Sequence, residues 1–154
     1  MGVEKIRRRL RVKGALRVEG AATFDAAGTM RGQVILTDVA TRTLIAAESG
    51  SLVLATKTSA TQTFTLPAAT VAGCWFMFKV ANGAAGGELL IDPAGTDILQ
   101  CKAANDAGAE VRPAGGTGLK NTAATNVDGD YLTLMADGVD TWHCVAQSGI
   151  WATQ

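Results

Sequence analysis

Histidine, cysteine, proline, aromatic residues and charge are all scarce in this chain of 154 residues. One histidine, His143, and three cysteines, Cys74, Cys101 and Cys144, leave little material for nucleophilic or metal chemistry. An odd cysteine count without short spacings argues against a disulfide framework and against a zinc site. The thiols are predicted to be small apolar core residues. His143 and Cys144 are strand neighbours and point to opposite faces, so they form no catalytic pair with each other. A long-range pair of His143 with Cys74 or Cys101 would still need an orienting group and an oxyanion hole. His143 is therefore read as a packed or half-exposed strand residue, and no enzyme is predicted.

Other absences narrow the field further. Asn126-Val-Asp128-Gly-Asp130 alternates oxygen ligands around a glycine, but lacks the later Glu and flanking helices of an EF-hand. It is read as a turn entering a strand. Gly115, Gly116, Gly118 and Lys120 miss the phosphate-loop spacing, and no helix follows to present its N-terminus to an anion. No cofactor and no metal are expected. The most apolar stretch, residues 72–81, is interrupted by Gly73 and Lys79 and is far shorter than the roughly 20 residues a bilayer requires. No apolar h-region follows Arg7 to Arg9, so neither a membrane span nor a signal peptide is expected.

What the chain does have is a division of charge. Residues 1–47 hold nine Lys/Arg against four Asp/Glu, and residues 48–154 hold five against ten. The difference is +5 in the first part and −5 in the second, which hides behind a net charge of zero. The positive run comprises Lys5, Arg7, Arg8, Arg9, Arg11, Lys13 and Arg17. Beneath it lies period-2 patterning, with Leu10, Val12, Leu16 and Val18 on one parity and Arg9, Arg11, Lys13 and Arg17 on the other. That is a strand signal, and Gly14 and Gly20 argue against a helix. A solvated tail has no need of such alternation. Nucleic-acid binding would fit the charge, but the arm has no stacking aromatic and the acidic body would repel phosphate. Docking on an acidic protein surface by strand addition is the preferred reading. The contact residues are predicted to be Arg7, Arg8, Arg9, Leu10, Arg11, Val12, Lys13, Leu16, Arg17 and Val18.

Beyond residue 48 short strands arrive about every ten residues. They include Ser51-Leu-Val-Leu-Ala, Gln62-Thr-Phe-Thr-Leu, Cys74-Trp-Phe-Met-Phe-Lys-Val and Glu88-Leu-Leu-Ile-Asp. Asp97-Ile-Leu-Gln-Cys, Asp130-Tyr-Leu-Thr-Leu-Met-Ala, Thr141-Trp-His-Cys-Val-Ala and Gly149-Ile-Trp-Ala-Thr follow. Asp137-Gly138 is a hairpin signal. Residues 103–124 read as a long loop with one short strand near Val111. The expectation is an all-β chain with two parts. An extended N-terminal β-arm spans 1–47, and a compact antiparallel β-sandwich or barrel of about seven to eight strands spans 48–154. Trp75 and Trp142 are expected in its core, with Trp151 sealing it or filling a subunit interface.

Five segments of the body carry a resemblance. Thr63-Phe-Thr-Leu-Pro-Ala-Ala, Gly73-Cys-Trp-Phe-Met-Phe-Lys-Val, Leu90-Ile-Asp-Pro-Ala-Gly-Thr-Asp, Gly129-Asp-Tyr-Leu-Thr-Leu and Asp140-Thr-Trp-His-Cys-Val look like β-domains of tailed-bacteriophage structural proteins. Such domains occur in capsid decoration (cement) proteins, head fibres and tail-fibre modules. The resemblance covers about residues 50–154 and lies in order and spacing. Gly14-Ala-Leu-Arg-Val-Glu-Gly-Ala-Ala-Thr-Phe similarly looks like phage fibre sequence. The resemblance implies a homotrimer without enzymatic activity, made in a host bacterial cytoplasm and placed on the outer capsid surface of the virion. Its implied partners are its own copies and the major capsid protein, with no nucleic acid and no membrane. A tail-fibre or baseplate-associated module, binding a host glycan, is the alternative. A single arm joined to a single barrel fits a cement protein better than a fibre.

Overall fold

A computed structural model describes residues 34–37, 39–56, 61–81, 87–101, 103–104, 110–111, 113–122 and 124–154. All of these belong to the unit Gly32–Gln154. The ten residues predicted for the docking arm, Arg7 to Val18, lie outside the described residues.

The described chain is all-β. Its strands are β1 (Val34–Thr37), β2 (Thr41–Thr43), β3 (Ser51–Ala55), β4 (Gln62–Thr65), β5 (Trp75–Val80), β6 (Leu89–Asp92) and β7 (Ile98–Gln100). Then come β8 (Ala103–Ala104), β9 (Glu110–Val111), β10 (Leu119–Asn121), β11 (Tyr131–Ala136), β12 (Thr141–Ser148) and β13 (Ala152–Thr153). A single 3₁₀ turn, Ala46–Glu48, is the only helical element among the described residues. Two large sheets are present beside the two-stranded β8-β9 ladder, a six-stranded one ordered β1-β3-β5-β11-β12-β7 and a five-stranded one ordered β13-β10-β6-β4-β2. They share one apolar core and neither closes on itself. The long segment read as a loop carries the small β8–β9 ladder and β10 as well.

The expected antiparallel pairing is corrected. From β1 to β7 the chain alternates strand by strand between the sheets. Each return to the same sheet therefore lands parallel to the previous visit: β1 with β3, β3 with β5, β2 with β4, and β4 with β6. A parallel neighbour needs a crossover, which is usually a helix. Here the strand in the opposite sheet serves as the crossover, so a helix-poor sequence still makes parallel ladders. The antiparallel pairs come from the second half, where β11 and β12 form the Asp137-Gly138 hairpin and β10 joins β6 and β13. β7 then pairs parallel to β12 at the far edge. The expected seven to eight strands for residues 48–154 also fall short of the eleven, β3 to β13, found there among the described residues.

Alternation along each strand sets the core. Ser51, Val53 and Ala55 of β3, Phe76, Phe78 and Val80 of β5, and Leu132, Leu134 and Ala136 of β11 point inward and are buried. Phe64, Leu89, Ile91 and Leu119 meet them from the second sheet. Phe64 and Phe78 span the gap with ring centroids 5.8 Å apart, and Phe76 stacks beside Trp142 at 6.0 Å. Such tilted aromatic pairs contribute about 0.5–1.5 kcal/mol beyond area burial. Ile35 of β1 and Leu44 after β2 are also buried in this core, although both precede residue 48. Trp142 is fully buried, as expected; Trp151 is fully buried too and donates its indole N–H to the Ser148 carbonyl at 3.0 Å.

Candidate functional site

The two sheets differ in what they turn outward. On the five-stranded sheet most outer positions are polar, with Leu90 and Ala152 the apolar exceptions. Thr41 lies opposite Thr63, and Thr43 opposite Thr65. The next strands add Asp92 beside Thr65, and Lys120 beside Leu90. Threonine suits this position, because its branched side chain fits a pleated surface and its hydroxyl remains solvated.

On the six-stranded sheet the outer positions of β1, β3 and the first half of β5 are apolar. Leu52 and Leu54 alternate with the buried residues of β3, and Trp75 and Met77 with those of β5. The register brings them into rows. Val34 lies opposite Leu52, which lies opposite Met77. Leu36 lies opposite Leu54, which lies opposite Lys79. Trp75 lies opposite Met135, and Met135 opposite His143. Leu36 is 65% exposed, Val34 51% and Met135 39%, so this is open apolar surface on the chain taken alone. Apolar residues on both faces of a strand are the mark of a sheet covered on both sides. Large contiguous apolar patches on protein surfaces are typical of interaction surfaces.

Trp75 corrects an expectation. It was assigned to the core, yet it stands on the outer face and is 37% exposed. Parity decides this: Phe76 and Phe78 occupy the inward positions of β5, so Trp75 must point out. Its place is fixed by the preceding turn. The Ser49 hydroxyl accepts its backbone N–H at 3.1 Å, and its carbonyl accepts the Gly50 N–H at 2.8 Å. Gly50 has a φ of +87°, a conformation open to glycine, and lies under the indole ring. Glu48, just upstream, accepts hydrogen bonds from the Arg42 guanidinium and the Ile45 amide, which holds the 3₁₀ turn that leads into β3.

His143 is exposed on the outer side of β12, and its Nε2 lies 3.9 Å from an Asp137 carboxylate oxygen. Asp137 itself serves the hairpin. Its Oδ1 accepts the N–H groups of Val139 at 2.8 Å and Thr141 at 3.1 Å. These two hydrogen bonds hold its carboxyl below the usual carboxylate range, with smaller help from the Asp140 amide and His143. Cys144 lies on the other face of the strand from His143 and packs against the core. Asp130, in the stretch considered for calcium, is buried and takes hydrogen bonds from Asn121 and the Val127 amide. Asn126 donates to the Gly87 carbonyl. No group of three or more metal-ligating side chains occurs among the described residues, and none of their helices is long and apolar enough to cross a membrane.

Two features escaped sequence reasoning. The outer apolar face had a signal, since Leu52-Val-Leu54 and Trp75-Phe-Met-Phe78 are apolar at both parities. The second is the approach of Cys101 to Cys144, 43 positions apart in a chain whose spacing gives no hint of it; the parallel β7–β12 register sets them level with each other. The chain matches no protein-family model and no curated protein.

Proposed function

We infer that this chain is a bacteriophage capsid decoration (cement) protein that binds the assembled major capsid shell as a homotrimer and stabilises it. The observation that carries the reading is the apolar outer face of the six-stranded sheet, set against a threonine-rich face on the other sheet. A surface formed by Val34, Leu36, Leu52, Leu54, Trp75, Met77 and Met135 calls for a permanent cover, and copies of the same chain are the cover proposed. Burying a side chain of this size contributes on the order of 1.5–3 kcal/mol when it leaves water completely. A few such residues are ample for an oligomer. The likeness of the body segments to phage β-domains, and the basic run from Lys5 to Arg17, support the virion setting.

The mechanism is multivalent attachment. The trimer presents three basic arms, each making a modest contact with acidic groups on the shell through Arg7, Arg8, Arg9, Arg11, Lys13 and Arg17. Leu10, Val12, Leu16 and Val18 bury against the shell or neighbouring arms. Linkage through the trimer raises the combined affinity. A ligand that binds only assembled capsid then stabilises it by mass action.

The test is a chain lacking residues 1–20, mixed with undecorated capsids. It is expected to keep its β-structure and self-association and to lose capsid binding. Decoration at full occupancy by the truncated chain would overturn the role of the arm. Antibody labelling of virions checks the location, with signal over the head expected. Signal on the tail would instead assign the chain to a fibre or baseplate module.

A further inference from the structure

β7 and β12 pair in parallel, with Ile98 opposite Thr141, Leu99 opposite Trp142 and Gln100 opposite His143. One step further along both strands stand Cys101 and Cys144. Residues opposite each other on neighbouring strands share a face and are separated by about 4.8 Å in the ladder direction. That separation lies inside the range of about 4.4–6.8 Å that a disulfide bridges between Cα atoms. Each thiol shifts the acidity of the other, and the Cys144 Sγ also faces the Ala146 carbonyl at 3.7 Å and the Gln147 side-chain oxygen at 3.6 Å. Cys101 is 2% exposed, whereas Cys144 is only partly buried.

We propose that Cys101 and Cys144 are a thiol–disulfide exchange pair, in which Cys144 is the entry thiol and Cys101 the resolving thiol, and that their disulfide staples β7 to the six-stranded sheet. The oxidant is a small disulfide such as oxidised glutathione. The Cys144 thiolate attacks one glutathione sulfur, a mixed disulfide forms, and the first glutathione leaves as a thiolate. Cys101 loses its proton and attacks the Cys144 sulfur. The second glutathione leaves, and the two cysteine protons end on the two released glutathione thiols. Two electrons pass from the cysteine pair to glutathione disulfide.

Access and acidity point to the same order. The neighbouring Cys101 thiol lowers the Cys144 pKa against the opposing effect of burial, with the Ala146 backbone helping. Cys101 is driven up by the adjacent Cys144 thiol and by burial. The thiolate therefore forms first at the more accessible sulfur, as an attacking thiol requires. The backbone shape at Cys144 has a cause as well. A bulge interrupts the β11–β12 register between Thr133 and Leu134, so that Val145 is left without an opposite residue on β11. Cys74 stands outside the pair. It immediately precedes β5, and β11 separates β5 from β12, so it lies roughly two strand spacings, about 10 Å, from Cys144.

The staple holds a vulnerable place. β7 has three residues and is the edge of its sheet. A cross-link from its end to β12 closes a long loop, which raises the unfolding midpoint by removing freedom from the unfolded chain. The inference is independent of the capsid reading.

The experiment treats the folded full chain with oxidised glutathione, followed by alkylation and peptide mass mapping. The wild-type chain is expected to lose two hydrogen masses, to link the Cys101 and Cys144 peptides, and to retain one alkylatable thiol at Cys74. Its unfolding midpoint should rise by on the order of 10 °C. Cys101→Ser should stop at a stable glutathione adduct on Cys144, while Cys144→Ser should leave Cys101 unmodified in the folded state. Cys74→Ser should behave as wild type. A persistent glutathione adduct on the wild-type chain, a disulfide that includes Cys74, or three thiols still free after treatment would each overturn the proposal, and the wild-type measurement decides this even if a variant fails to fold.

Discussion

Asn121 and Asp130 are joined by a buried hydrogen bond of 3.0 Å, from Nδ2 of the amide to Oδ2 of the carboxylate. It ties β10 in one sheet to the entrance of β11 in the other. The same Nδ2 group donates to the Ile150 carbonyl at 3.0 Å, so the segment before β13 is held as well. The Val127 amide donates to the same carboxylate oxygen at 3.1 Å and shapes the preceding turn. Four places in the chain thus meet on two side chains. A buried carboxylate of this kind needs every partner it has, because leaving charge unpaired in the interior is expensive.

The first prediction concerns that junction. Asn121→Ala and Asp130→Ala are each expected to destabilise the fold by about 2–3 kcal/mol, since each strands a buried polar partner. The double variant should lose less than the sum of the two. Urea unfolding of the four proteins measures the coupling, and strict additivity would show that the pair does not act as a unit.

Gly149 supplies a second prediction at the same place. It has a φ of +90°, and a Cβ there would collide with the Asp130 carboxyl group. Gly149→Ala should therefore lower stability by at least about 1–3 kcal/mol, through strain and displacement of Asp130 together. Gly129→Ala is the comparison. It shares the positive φ but has open space around it, so it should be the milder of the two in thermal unfolding.

The third prediction separates the two outer faces. Leu54→Glu combined with Met77→Glu is expected to weaken self-association at least 100-fold in light scattering, about 2.7 kcal/mol. Thr63→Glu, on the polar face, should leave it unchanged. Because these positions face outward, unfolding midpoints of the separated chains should move little. Unaltered association in the Leu54/Met77 variant would remove this face from the interface.

Asp137 gives a pH dependence with a definite sign. Its folded pKa is depressed by the Val139 and Thr141 amides, so the stabilisation of the hairpin is fully present above the unfolded value, about 3.9. It is lost as the pH falls through the lower folded value. Asp137→Asn should remove this contribution at neutral pH and flatten the acid dependence. NMR titration of the Val139 and Thr141 amide shifts reads it directly, and a midpoint at or above the ordinary carboxylate value would contradict it.

Phe78 carries the last prediction. Its ring faces Phe64 from the other sheet and Phe76 within its own, at centroid distances of 5.8 and 6.4 Å. Phe78→Ala should cost about 3–5 kcal/mol, the loss of transfer energy plus the cavity left behind. Denaturant unfolding measures it, and Phe78→Leu should be markedly less damaging.

The local elements were legible in the order of residues. Period-2 alternation located the strands around Leu52, Phe64, Phe78, Leu90, Leu132 and Trp142, because alternate side chains must choose between core and outside. Asp137-Gly138 announced the β11–β12 hairpin for a backbone reason, since Gly138 takes a φ of +92°. Those properties act within a few residues and are written into them. Strand partners are not. β3 touches β1 and β5, whose residues lie far from it in sequence, and nothing in Ser51-Leu-Val-Leu-Ala states whether its neighbours run parallel or antiparallel. That was decided by the winding of the chain from one sheet to the other. Which side of Trp75 met the core depended on Phe76 and Phe78 claiming the interior first. The meeting of Cys101 with Cys144 required β7 to pass to the far edge and pair with β12. The sequence by itself determined an all-β chain with a basic first part and short, evenly spaced strands. Only the tertiary structure decided which apolar residues remain outside and which thiols stand opposite each other, because both depend on long-range register, and register follows from the packing of the whole.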